Sequence, residues 1–211
     1  MQWAIAEYER QPHTPELVDR TWQALWQAWG ERIDHEFSVP SCDRDTGELA
    51  ELKEKGNGVL LIPDEITTTP EGLVLLGKIF PEMEVWAVQR STTIKNEHNR
   101  GGCIDIEMSV DAPNINTTTV NLSTKLNAEG RDGQRLAVYI VGSQFSKLLT
   151  GRYFDMGGTW SLLLGSRDEG DIVVARFPQD RAGRLFVGWS LSPDLSDSPL
   201  GGRSEGRRSY E

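Results

Sequence analysis

The chain is expected to fold as an α+β domain, with an N-terminal amphipathic helix and further short helices on a mostly antiparallel β-sheet. Three features predict this. Residues 14–37 carry apolar side chains at helical spacing. From residue 84 onward, short β-prone runs alternate with turn residues, the pattern of antiparallel meanders. The 211 residues, 37% apolar and 26% charged, suffice to bury a core without disulfides or metals.

The helix start is well marked. Thr14 is a capping residue, Pro15 suits the first helical position, and Glu16 complements the positive end of the helix dipole. Val18, Trp22, Leu25, Trp26, Trp29, Ile33 and Phe37 share one face, while Glu16, Asp19, Arg20, Gln23, Gln27 and Glu31 share the other, with Gly30 as an interruption. A tryptophan stripe serves either a core or a partner interface. The spacing fits a core-facing helix, and Trp22, Trp26 and Trp29 are the candidate partner-binding residues.

A short helix is expected over 47–55, closed by Gly56, followed by a strand over 59–62. Asp43, Asp45 and Glu54 fall at positions 1, 3 and 12 of a calcium-binding loop, but Gly47 stands at position 5 where such a loop needs glycine at 6. A capped turn leading into the helix is the simpler reading. Thr69-Pro70-Glu71 repeats the helix-start chemistry and predicts a buried helix over 70–80, stopped by Pro81. With strands 59–62 and 84–90 it would form a βαβ unit.

Further strands are expected at 84–91, 102–110, 117–124, 135–142, 159–165, 171–177 and 184–190. One helix interrupts them, capped by Ser143, with Phe145, Leu148 and Leu149 on its apolar face and Gly151 at its end. From Pro193 the chain turns rich in Pro, Gly, Ser and charge, with little to bury. Residues 1–192 are therefore expected to form the domain and 193–211 a flexible polar tail.

The net charge of −10 is unevenly spread. Residues 1–56 hold 12 acids and 6 bases, residues 57–135 hold 11 and 7, and residues 136–211 hold 9 and 9. Nucleic-acid binding draws on clustered Lys and Arg, and there is no basic stripe, so a nucleic-acid surface is not expected. An acidic surface instead suits solubility or a basic protein partner. No apolar run reaches membrane-span length, and the N-terminus lacks a basic region followed by an apolar stretch. A cytoplasmic location is expected, and there the two cysteines, Cys42 and Cys103, would be reduced thiols.

The stretch Cys103-Ile104-Asp105-Ile106-Glu107-Met108 invites a catalytic reading. Strand alternation puts Cys103, Asp105 and Glu107 on one face and Ile104, Ile106 and Met108 on the other. Acids two apart on a strand can hold Mg²⁺ or Mn²⁺ for phosphoryl transfer. Asp105-Ile106-Glu107 resembles the first motif of proofreading-type 3′–5′ exonucleases, over three residues. Those enzymes carry further acidic motifs and a downstream His or Tyr, whereas no His follows His98 here. Pro63-Asp64 with the same strand resembles the PD-(D/E)xK nucleases, but Met108 stands where their water-activating Lys belongs.

Other templates are missing. There is no phosphate loop ending in Gly-Lys-Ser/Thr and no Gly-x-Ser-x-Gly elbow, and His13, His35 and His98 are scattered. A small-molecule pocket lined by Trp86, Trp160 and Trp189 is a weaker idea.

The sequence therefore points to a non-catalytic protein-interaction module without a cofactor, an acidic subunit or regulator in a bacterial or phage multi-protein system. Toxin-neutralising immunity proteins, defence-system components and assembly adaptors share this outline. The alternative is a metal-dependent phosphodiesterase or nuclease-like hydrolase using Asp64, Asp105 and Glu107 with Mg²⁺ or Mn²⁺.

Overall fold

The computed structural model describes residues 1–81, 94–96, 100–176, 184–190 and 200–206, without the side chains of Asn96, Trp189 and Ser190. The chain begins with α1 (Gln2–Arg10), which buries Ala4, Ile5 and Tyr8. Helix α2 (Pro15–Gly30) follows, and Thr14 caps it by accepting a hydrogen bond from the Leu17 N–H. The expected apolar stripe runs to Phe37, but the helix stops at Gly30. There the Ile33 and His35 N–H groups both donate to the Gly30 carbonyl as the chain folds back. A Cβ on Gly30 would lie 2.1 Å from the His35 carbonyl oxygen, so glycine is what lets the chain double back so tightly. Phe37 still reaches the core, but from a loop.

Helix α3 (Thr46–Glu54) opens with a capping box. Asp45 accepts from the Glu48 N–H, and Glu48 accepts from the Asp45 N–H. Asp45 is thus a helix cap, as the simpler reading of the calcium-like spacing expects. Strand β1 (Asn57–Ile62) and helix α4 (Pro70–Ile79) lie where the sequence places them. The second strand of the expected βαβ unit lies outside the described residues.

Strands β2 (Ile94–Asn96) and β3 (Gly102–Glu107) come next. Two expected strands are then helices. Residues 117–124 fall largely in α5 (Thr119–Ala128), and 135–142 in α6 (Leu136–Thr150). The Thr-rich run looks β-prone, but Thr118 is an N-cap that accepts from the Asn121 N–H. The 136–141 run looks like a buried strand because α6 has no wet side: every residue from Leu136 to Ser146 is buried. Without a polar face, the 3.6-residue period leaves no trace in the sequence. Ser143 lies inside α6 and accepts from the Phe154 N–H, while Gly151 ends the helix in a left-handed conformation.

Strand β4 (Asp132–Gly133) precedes α6, and β5 (Trp160–Asp168), β6 (Asp171–Arg176) and β7 (Phe186–Ser190) follow it. The chain then supplies β8 (Leu200–Gly202) and β9 (Ser204–Gly206). These make two sheets. The first has the order β1-β3-β9-β4, all antiparallel. The second runs β2-β5-β6-β7, also antiparallel, with β8 parallel to the start of β5. The main core joins α1, α2, α4 and α6 to both sheets, and a smaller one beneath α5 holds Leu122, Leu126, Leu162 and Leu200.

The tail expected from residue 193 therefore needs correcting at 200–206, where all seven residues are buried. Composition misled because, Leu200 apart, the segment buries charge and bare backbone instead of apolar side chains. A Cβ on Gly201 would lie 2.5 Å from the Pro113 carbonyl oxygen, and one on Gly202 2.0 Å from the Leu122 side chain. The glycines are there for close contact. Arg203 is the joint at which the chain leaves one sheet for the other.

Candidate functional site

The tryptophan stripe is an internal fastening. Trp22, Trp26 and Trp29 have no exposed surface, so as candidate partner-binding residues they need correcting. Their role follows from geometry. Among the described residues, β1 is the outer strand of its sheet, and an outer strand presents unpaired carbonyls. The Trp22 indole N–H donates to the Val59 carbonyl at 2.9 Å, and Trp26 to Leu61 at 2.7 Å. Four residues of helix rise about 6 Å and two residues of strand about 6.6 Å. Tryptophans four apart therefore match carbonyls two apart. Trp26 meets Trp29 edge to face with centroids 5.0 Å apart, and Trp29 meets Phe80 in the same way.

The polar face of β3 is equally occupied. Asp105 is buried and faces two guanidinium groups: Arg44 Nη2 at 3.2 Å from Oδ1, and Arg131 Nη1 at 2.6 Å from Oδ2. Glu107 accepts from the Ser204 N–H and hydroxyl. Asp64 accepts from the Gly101 N–H at 2.9 Å, four residues before Asp105 on the extended chain, a span of about 13 Å. The three candidate catalytic carboxylates are thus not brought together. Two arginines balance the Asp105 charge, a task that Mg²⁺ or Mn²⁺ would perform in a hydrolase. Among the described residues, no three His, Cys, Asp or Glu side chains group closely enough to hold a metal ion.

Two further buried ion pairs fasten the 200–206 segment. Arg203 and Asp155 lie 3.3 Å apart, both wholly inaccessible to solvent. Asp155 also accepts from the Tyr139, Thr159 and Ser161 hydroxyls. Burial, reinforced by the Asp155 carboxylate, pushes the Tyr139 phenol well above its ordinary range. The Arg203 guanidinium also donates to the carbonyls of Ser109 and Val110 and lies over the Phe154 ring. Next to it, Arg135 Nε meets Glu205 Oε1 at 2.7 Å. Sequence reasoning missed Arg44, Arg131, Arg135, Asp155, Arg203 and Glu205, because their partners are up to 96 residues away or lie in the segment read as a tail.

Trp160 stacks edge to face with Phe186 and lies under the Arg176 guanidinium. Trp86 and the Trp189 side chain lie outside the described residues.

Two surface clefts stand out among the described residues. One of about 490 Å³ lies between α5 and the β5–β6 hairpin, with Ser123, Thr124, Asn127, Arg131, Arg167 and Asp171 among its walls. The other, about 660 Å³, lies along the end of α2 and the loop after it. Its walls are Gln23, Gln27, Glu31, Asp34, His35, Glu36, Phe37 and Val39. Glu31, Asp34 and Glu36 are exposed, and among the described residues no Lys or Arg lines this cleft. His35 Nε2 lies 3.5 Å from Glu65 Oε1 at its side. Among the described residues, no helix is long and apolar enough to cross a membrane. Compared with family models, curated proteins and solved structures, the chain matches none.

Proposed function

We propose that the chain is a non-catalytic interaction module, an acidic subunit or regulator that meets a basic protein partner at the cleft beside the end of α2. The observation that carries this reading is the cleft's composition: three exposed carboxylates, Glu31, Asp34 and Glu36, with His35 and no Lys or Arg among the described residues of its walls. Phe37 and Val39 add an apolar element suited to the stem of a Lys or Arg, whose charged head would meet the carboxylates. The tryptophan fastening of α2 supports the reading, because a fixed helix presents its outer face at little entropic cost on binding. The acid-based catalytic alternative has less behind it, since Asp64, Asp105 and Glu107 are each engaged separately.

The test is capture from the native host, using the tagged full chain beside a Glu31→Lys/Asp34→Lys/Glu36→Lys variant. The wild type is expected to retain a basic protein that elutes as salt rises, and the variant to lose it. Equal retention by both chains would count against the proposal.

A further inference from the structure

The chain contains two cysteines, 61 positions apart, and the fold brings them together. Cys42 lies on the loop between α2 and α3, and Cys103 lies on β3. Their sulfurs are 3.9 Å apart. This is one of two rungs at the same sequence offset. Arg44 meets Asp105 across the same 61 positions, so residues 42–44 run alongside residues 103–105 on the polar face of the strand. The loop is held on its other side as well, where the Cys42 N–H donates to Asp19 Oδ1 at 2.6 Å. The thiols are thus held near contact, and small side-chain rotations would cover the remaining ~2 Å to a disulfide bond.

The two thiols differ in access and acidity. Cys42 is half-buried and Cys103 is buried. The Cys103 thiol donates to Cys42, which lowers the Cys42 pKa and raises that of Cys103; burial raises Cys103 further. A small reagent arriving from solvent therefore meets Cys42 first, as the better thiolate.

We propose that Cys42 and Cys103 are a reversible thiol–disulfide pair, oxidised by a low-molecular-weight disulfide, with Cys42 the attacking thiol and Cys103 the resolving one. In the first step the Cys42 thiolate attacks one sulfur of the small disulfide. A mixed disulfide forms, and one small thiolate leaves and takes up a proton. In the second step Cys103 gives up its proton and its sulfur attacks the Cys42 sulfur, expelling the second small thiolate, which is protonated in turn. Two protein thiols become one disulfide and one small disulfide becomes two thiols, a transfer of two electrons. The product fixes the 42–44 loop to β3 beside the Arg44–Asp105 pair. The proposal is independent of the acidic cleft.

The experiment equilibrates the reduced, folded full chain with glutathione buffers of rising oxidised fraction at neutral pH. Acid quenching, alkylation and intact mass then count free thiols. The wild type is expected to pass from two free thiols to none, as a monomer lighter by two hydrogens, with the melting temperature raised by about 10 °C. Cys103→Ser is expected to stop at one glutathione adduct on Cys42, and Cys42→Ser to leave Cys103 unmodified. The wild-type mass alone decides the matter if either variant fails to fold. Two alkylatable thiols persisting in strongly oxidising buffer, a stable glutathione adduct on the wild type, or a disulfide-linked dimer would each overturn the proposal.

Discussion

Arg203 and Asp155 meet at 3.3 Å with neither side chain reached by solvent, and this pair holds the C-terminal strands in the fold. β8 and β9 flank Arg203 and belong to different sheets, so the pair sits where the two sheets are joined. A buried ion pair of this kind need not add net stability, but breaking it strands a charge in a dry interior. The Asp155 carboxylate is well satisfied, with three hydroxyl donors besides the arginine.

Arg203→Met is accordingly expected to cost about 3–5 kcal/mol, a large part of a typical domain's stability. Adding Asp155→Asn removes the stranded charge and should recover part of that loss. Urea unfolding midpoints of the two single variants and the double variant measure the coupling. Strict additivity would show that the pair does not act as a unit.

Trp26→Phe keeps most of the ring contact with Trp29 and Phe37 but removes the donor to the Leu61 carbonyl. The expected cost is about 1–3 kcal/mol, dominated by the carbonyl left unpaired in a buried site. Trp22→Phe should behave alike through Val59. Thermal unfolding checks both, and a variant as stable as the wild type would refute the edge-capping role.

Alkaline pH should destabilise the fold. The phenols of Tyr139 and Tyr8 are held above their ordinary value of 10.0 chiefly by burial. Below pH 10 the folded and unfolded chains both keep these protons. Above it the unfolded chain releases them while the folded chain does not, so stability falls as pH rises. The slope is about 1.4 kcal/mol per pH unit for each tyrosine. Tyr139→Phe should remove one tyrosine's share of that slope. Unfolding midpoints between pH 9 and 11 provide the comparison, and an unchanged slope would contradict the assignment.

Much of the fold was legible in the sequence where one face is wet and the other dry. The α2 stripe carries that contrast, while the two Thr-Pro-Glu helix starts and strands β1, β3, β5, β6 and β7 carry a cap, a turn signal or an alternation of residue types. The first half of α6, read as a strand, did not, because it is buried on every side and so has no period to read. α5 did not, because Thr118 and its neighbours serve as a cap where β-propensity suggests a strand. The 200–206 strands hid for a different reason: apart from Leu200, their burial consists mainly of glycine contacts and ion pairs with distant residues. The alternation of β3 correctly put Cys103, Asp105 and Glu107 together on one polar face. That Arg44, Arg131 and Ser204 cover this face depends on contacts 26 to 97 residues away, which no local pattern encodes.

The most direct test of the proposed function is the affinity of a captured basic partner for wild type and for the Glu31→Lys/Asp34→Lys/Glu36→Lys variant at low and physiological salt. Exposed ion pairs contribute about 0.2–1 kcal/mol each, and reversal adds repulsion to the lost attraction. Binding is expected to weaken at least tenfold in the variant, and the difference to shrink as salt rises. Equal affinities at both salt concentrations would contradict a partner site at the cleft beside α2.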